Sequence, residues 1–319
     1  MMKLLVGYDG SKSADAAIDD LVNAGLPQQG MALAVSVAEV WMPPAGTAAE
    51  GENGAVNPYV EELVKRYRAN GEQAVAEAEE FAKHAQERIQ SILPGWDVQF
   101  AATYGSPAWE VLNAADDFQP DLIVVGSHGR TALGRFILGS ISQKILSEAR
   151  CSVRISRGRI EVDASPERIV IGFDGTEGAL AAVDAVSKRA WSPGSEVRLV
   201  AAGDQVTPSP IGRVVPPVAN VVDDINTAET EWIQNLVNEP LEDLRAVGLS
   251  AELLIRPGNP KRILIDEAEK WDADCIFVGA NKWGARLERF LIGSTSAAIA
   301  ARAHCSVEVV RKPVGEGSA

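Results

Sequence analysis

Pro120-Asp121-Leu122-Ile123-Val124-Val125-Gly126 runs into Ser127-His128-Gly129 and, nine residues later, into Gly139-Ser140 and a helical pattern from Ile141 to Glu148. A continuous apolar run of this length suits a strand buried on both faces. A strand that ends in glycines ahead of a helix is the joint of a parallel βαβ sheet. In such a sheet ligands bind in the crevice beyond the carboxyl ends of the strands. The stretch therefore sets the fold class and marks the edge where a site belongs.

Outward from it, the chain repeats. Ala273-Asp274-Cys275-Ile276-Phe277-Val278-Gly279 answers the strand 153 residues on, as Gly258-Asn259-Pro260 answers Gly105-Ser106-Pro107. Gly293-Ser294 and Cys305-Ser306-Val307 answer Gly139-Ser140 and Cys151-Ser152-Val153 at 154. Leu4-Leu5-Val6-Gly7-Tyr8-Asp9-Gly10 returns as Ile169-Val170-Ile171-Gly172-Phe173-Asp174-Gly175 at 165. Blocks that keep their order with small shifts indicate a duplicated domain. The boundaries read as 1–157 and 167–312, with a linker from Arg157 to Glu167.

Within each copy short apolar runs alternate with helical patterns, so the expected class is α/β, two similar domains each with a five-stranded parallel sheet and helices on both faces. The first copy gives strands near 2–8, 31–40, 97–103, 121–126 and 151–156, with helices near 12–24, 58–92, 106–118 and 140–149. The second gives strands near 168–173, 196–203, 250–256, 274–279 and 305–310, with helices near 177–190, 224–247, 260–271 and 294–303. Met42 to Asn57 and Asp204 to Asn220 read as long loops in equivalent places.

At 319 residues, 46% of them hydrophobic, the chain can bury two ordinary cores. Its 44 acidic against 30 basic residues give a net charge of −14, which repels nucleic-acid backbones and anionic lipid. Three cysteines without CxxC spacing and an N-terminal apolar stretch too short for a signal sequence lead us to expect a cytoplasmic protein without a membrane anchor. Cys151 and Cys305 read as small buried hydrophobes at strand starts. No His/Cys/carboxylate cluster has metal-ligand spacing.

The glycine loop supports two readings. Its glycines let a backbone approach a ligand, and Ser140 reads as the cap of a helix whose free N–H groups suit a phosphate. The same pattern also serves as a tight turn before an ordinary helix cap. Asp9 either accepts hydrogen bonds from a ribose or an adenine amine, or caps the helix after Ser11. His128 is either a phosphate donor or a solvated turn residue. His84, His304, the Trp residues and the acidic stretch Glu72 to Glu80 read as structural.

Taken together, the first-strand Asp, the Gly-x-Pro turn, the Asp-Leu-Ile-Val-Val-Gly strand and the Gly-x2-Gly-x9-Gly-Ser loop resemble a tandem universal stress protein. The resemblance spans both copies, from about residue 2 to residue 311. It implies an adenine nucleotide alpha hydrolase-like, Rossmann-like sheet and a regulatory role in stress response. It also implies ATP, with or without magnesium, as the ligand of the first domain. By the same likeness Asp9 and the backbone near Val37 meet the adenosine, while Gly126, His128, Gly129, Gly139, Ser140, Ile141 and Ser142 line the ribose and phosphates. Related single-domain members resemble dimers that pair their last strands. That implies an intrachain pseudo-dimer through Ser152 to Ser156 and Ser306 to Val310, and leaves room for a homo-oligomer. Arg154 and Glu308, of opposite sign at the same place in the two strands, favour the pairing within one chain, though an exposed pair is worth only about 0–1 kcal/mol.

The second copy departs from the pattern. Lys282 stands where Gly129 stands in the first, and ten residues rather than nine separate it from Gly293, leaving Gly284 to take over. A degenerate site is the expectation there. The competing functions are a carrier of an apolar ligand in the sheet cavity and an enzyme on the same sheet, down to a weak ATPase. The Ser-Gly-Gly-x-Asp-Ser and His-x-Gly-His loops of enzymes on such sheets are missing, so a non-enzymatic protein is expected.

Overall fold

A computed structural model of the chain describes residues 1–42, 58–128, 138–157, 166–203, 216–280 and 292–312. Most of both long loops (43–57 and 204–215), the linker between 158 and 165, and the middle of each glycine loop, including Gly129, Lys282 and Gly284, lie outside the described residues; 216–220 are helical. The first half runs β1 (Met2–Gly7), α1 (Lys12–Asp19), β2 (Gly30–Ala38), α2 (Pro58–Ile92), β3 (Trp96–Tyr104), α3 (Pro107–Phe118), β4 (Leu122–Gly126), α4 (Ser140–Glu148) and β5 (Ser152–Ser156). The second half repeats it as β6 (Arg168–Gly172), α5 (Glu177–Ser187), β7 (Glu196–Gly203), α6 (Pro216–Ala246), β8 (Ser250–Pro257), α7 (Pro260–Lys270), β9 (Cys275–Gly279), α8 (Ser294–Arg302) and β10 (Ser306–Val310).

All ten strands form one sheet, in the order β3-β2-β1-β4-β5-β10-β9-β6-β7-β8. Neighbours within each half are parallel; the two halves meet in one antiparallel pair, β5 with β10, in the register Val153–Val309, Arg154–Glu308 and Ile155–Val307. The expected intrachain pairing of the last strands is therefore what holds the halves edge to edge.

The two faces of this sheet are built differently. On one, α3, α4, α7 and α8 cover a single apolar core that crosses the seam and takes in Val153, Ile155, Val307 and Val309. On the other, α1 and α2 cover one core and α5 and α6 cover a second. Because strand side chains alternate between faces, Arg154 and Glu308 point away from the shared core, into the gap between the two separate ones.

In that gap four charges alternate. Arg154 donates from Nε and Nη2 to Asp20 at 2.7 and 3.1 Å, and Ser156 Oγ donates to the same carboxylate at 2.7 Å. Its Nη1 lies 3.6 Å from Glu308 Oε2, within ion-pair range but beyond a hydrogen bond, and the other Glu308 oxygen accepts from Arg189. Arg189, just past α5, also donates to the Ala24 carbonyl at 2.8 Å. Arg154 and Glu308 are wholly buried, which corrects the expectation of an exposed pair of small energetic weight. Burial opposes the charge on Arg154, but Asp20 and Glu308 outweigh it and hold the guanidinium above its usual pKa.

Element ends differ from expectation where this seam intervenes. The first helix stops at Asp19, and a 3-10 turn, Asp20–Ala24, turns Asp20 inward before Gly25 reverses the chain at φ 60°. A Cβ at Gly25 would lie 2.9 Å from the Trp191 ring of the second half. In addition, α6 starts at Pro216, earlier than its periodicity indicated, and the fifth and tenth strands start one residue after their cysteines.

Removing one partner from a buried ion network costs about 3–5 kcal/mol. Arg154→Met should lower the unfolding free energy by that order in urea titrations. The swap Arg154→Glu with Glu308→Arg should recover none of it, because Asp20 and Arg189 would then face like charges. A swapped chain as stable as the wild type would contradict the directional chain of charges.

Candidate functional site

The order 3-2-1-4-5 places a topological switch between β1 and β4, and the described site candidates lie on or next to the elements that meet there, Gly129 being outside the described residues. Gly7 pairs with Val35 on one side and with Val125 on the other. Asp9 lies two residues past Gly7, as Val37 and Ser127 lie two past its partners, at the carboxyl edge. The Tyr8 N–H still donates to the Val35 carbonyl at 2.9 Å, so the register holds to the end of the strand. Asp9 is half-buried and Val37 partly covered.

From this edge the chain passes through His128 and returns at Gly139, whose N–H donates to the Ser127 carbonyl at 2.8 Å. That bond fixes where α4 begins. Gly139 itself is the N-cap, with φ −64° and ψ 153°, and Ser140 is the first helical residue, which corrects the expectation that Ser140 caps the helix. A glycine cap brings no side-chain acceptor. The first intrahelical bond runs from Gln143 N–H to the Gly139 carbonyl at 2.9 Å. The N–H groups of Ser140, Ile141 and Ser142 precede it and have no acceptor among the described residues, as helix geometry dictates for an uncapped first turn. Ser140 and Ile141 are exposed. Ser142 is buried, and its hydroxyl donates to the Gly126 carbonyl at 2.7 Å, tying the first turn of α4 to the end of β4.

Asp9 does not cap α1. Ser11 does, its Oγ accepting from Ala14 N–H at 3.1 Å, while an Asp9 carboxylate oxygen accepts from Ser11 N–H at 3.0 Å. Sequence reading missed Ser13: its Oγ accepts from the His128 N–H at 3.3 Å. It also gives Gly126 its reason. A Cβ on Gly126 would stand 2.6 Å from Ser13 Oγ and 2.7 Å from the Ser13 carbonyl oxygen, so this glycine makes room for α1. The His128 ring is held by Ser127 Oγ, 2.8 Å from Nδ1.

The second copy keeps the frame and alters the contacts. Ser296 Oγ donates to the Gly279 carbonyl at 2.9 Å, and Gly293 is again a bare N-cap. Gly178 replaces Ser13, and a Cβ on Gly279 would fall 2.1 Å from the Gly178 carbonyl carbon: both copies bring the two backbones together here, closer in the second, where no side chain adds its hydroxyl. Asp174 is exposed, unlike Asp9, and accepts from both the N–H and the hydroxyl of Thr176, at 3.1 and 2.6 Å. The difference at Ser13 and Gly178 was present in the sequence, 165 residues apart, but the repeat alignment drew attention to what matched.

Elsewhere the chemistry is structural. Burial pushes the Cys151 thiol up to about 12, and Cys275 and Cys305 are buried. The described residues contain no group of three His, Cys, Asp or Glu side chains able to hold a metal, and no helix long and apolar enough to cross a membrane. Glu72, Glu77, Glu79 and Glu80 face solvent, and the His84 ring rests against Tyr8 at 6.1 Å. Trp191 packs edge-on against Phe277, whereas Trp41 is exposed rather than packed.

An added methyl that meets a backbone oxygen in a packed site costs about 1–3 kcal/mol. Gly126→Ala should lower the urea midpoint accordingly by driving α1 from β4. An unchanged midpoint would show that Ser13 and its backbone can yield.

The sequence profile of the universal stress protein family matches residues 1–157 and again 166–311. A universal stress protein of Bacillus subtilis is 29% identical over 157 residues, 49% of this chain and 98% of its own length. One from Mycobacterium tuberculosis is 24% identical over 214 residues, 61% of this chain and 66% of its own. Among solved structures, a universal stress protein from Archaeoglobus fulgidus superimposes with a TM-score of 0.63 over 97% of this chain and 98% of its own, at 18% identity, a likeness of fold. With its profile matched twice along one ten-stranded sheet, the chain belongs to the universal stress protein family, as two repeated domains.

Proposed function

We propose that the first domain binds an adenine nucleotide, ATP, in the crevice between β1 and β4, that the second domain's counterpart is degenerate, and that occupancy regulates a stress response rather than driving turnover. The observation that carries this is the bare first turn of α4. Three exposed or tethered N–H donors and the positive end of the helix dipole open at the carboxyl end of β4, held there by the Gly139–Ser127 and Ser142–Gly126 bonds, and we place Asp9, Val37 and His128 around the same crevice. Such a turn favours phosphate through its N–H groups without any basic side chain, which suits a chain of strongly negative net charge. Asp9 would accept from the adenosine, and Val37 would present backbone and an apolar surface to it. Ser142, its hydroxyl already given to Gly126, would act through its N–H, and Gly129 would keep the loop backbone close. Bound ATP supplies the charge that the turn recognises; magnesium would be carried mainly by its phosphates.

The repeat provides its own control. A hydrogen bond to a charged group is worth about 1.5–3 kcal/mol, and about 1.4 kcal/mol is tenfold in affinity. Titration calorimetry with ATP should give one site per chain. Asp9→Ala should weaken it roughly tenfold or more, Asp174→Ala should leave it unchanged, and Gly129→Val should abolish it. Two equal sites, or equal effects of the two aspartates, would contradict the reading.

Phosphoryl transfer needs a positioned nucleophile and a neutralised leaving group. At this edge the Asp9 carboxylate already accepts from Ser11 N–H and the His128 ring is engaged by Ser127 Oγ. Steady-state turnover should therefore fall far below the enzyme median of about 10 per second. A rate near that value would argue for an enzyme.

A further inference from the structure

Two arginines hold the last helix of each domain from across the seam. Arg311, directly after β10, donates from Nη1 to the Cys151 carbonyl at 3.2 Å and from Nη2 to the Leu146 carbonyl in the last turn of α4. Its N–H donates to Ser152 Oγ at the start of β5 at 3.1 Å, and its side chain is buried. Arg157, directly after β5, mirrors it: Nη2 donates to the Ala300 and Ala301 carbonyls of α8 at 2.7 and 3.2 Å, and its N–H donates to Ser306 Oγ at 3.0 Å. The last carbonyls of a helix lack intrahelical donors, and a cation there complements the negative end of the dipole. Each domain thus caps the other's final helix. Burial pushes the Arg311 pKa down to about 10, so the group is held by carbonyl oxygens in a largely dry setting.

The consequences are unequal because the helices are. The nine residues of α4 make a rod of roughly 14 Å at about 1.5 Å per residue. It is tied to β4 at one end by Ser142 and to the other domain at the other by Arg311. The end tied by Ser142 is also the bare turn at the candidate nucleotide site, whereas α8 heads the degenerate copy. We propose that Arg311 is a positioning residue for the first turn of α4, so that the second domain sets the nucleotide affinity of the first; the affinity part rests on the function proposed above. By linkage, a nucleotide on α4 strengthens the hold of Arg311 as much as Arg311 strengthens the nucleotide's.

The test uses the full chain and two readouts. In the first, without nucleotide, amide exchange at Gln143, the first bonded amide of α4, should rise several-fold in Arg311→Met and stay as in the wild type in Arg157→Met, with the α1 and α2 amides unchanged in both. In the second, calorimetry should show ATP binding weakened about fivefold or more in Arg311→Met, partly restored in Arg311→Lys, and within about twofold of wild type in Arg157→Met. Should Arg311→Met not fold, Arg311→Lys, which keeps the charge without the fork, carries the same comparison. Unchanged exchange at Gln143, loosening spread through the first domain, or equal losses of affinity in the two arginine variants would overturn the positioning role. A wild-type chain that binds no ATP would instead defeat the nucleotide reading, and the exchange measurement would still decide whether Arg311 places α4.

Discussion

The antiparallel pair of β5 and β10 is the constraint on which the rest depends. Two parallel half-sheets each leave one bare edge at their last strand, and joining those edges turns two small sheets into one. The join requires every second side chain of both strands to find a place on each face. On the face of α4 and α8 the four valines and isoleucines merge two cores into one. On the opposite face the same alternation buries Arg154 and Glu308, and two charges removed from water require partners close at hand.

Those partners break the symmetry of the repeat. Asp20 serves Arg154 from the first domain and Arg189 serves Glu308 from the second. Neither has a like residue at the equivalent place, since Ala185 and Ala24 stand there. A pairing of two first domains would oppose arginine to arginine, and a pairing of two second domains glutamate to glutamate. The seam therefore specifies a domain of the other kind, which in this structure is the other half of the same chain. With that pairing secured, each half need not keep the same site, and the contrast between Ser13 beside Gly126 and Gly178 against Gly279 lies where the site would be.

Most of the sheet was legible because buried strands are written as unbroken apolar runs such as Leu122 to Val125, and because the duplication wrote each of them twice. The antiparallel join was legible in the opposite charges of Arg154 and Glu308. Their burial was not, because it depends on Asp20 and Arg189, distant in sequence and without periodicity. The helix cap was misplaced by one residue: serine is the commoner cap, but the hydrogen bond from Gly139 to Ser127 decides which residue turns the chain. Of the candidate site residues, Gly139 and Ser142 are tied to the end of β4, and Asp9 and His128 directly follow β1 and β4. Ser13 and the two crossing arginines were hidden, since their roles exist only once separate segments are brought together.

The account comes down to one chain with two domains and one nucleotide. Native mass spectrometry of the freshly purified full-length protein addresses this directly, since it weighs whatever the chain carries. The account predicts a mass increment of a single adenine nucleotide per chain. Two nucleotides held alike, or an apolar molecule in place of any nucleotide, would contradict it.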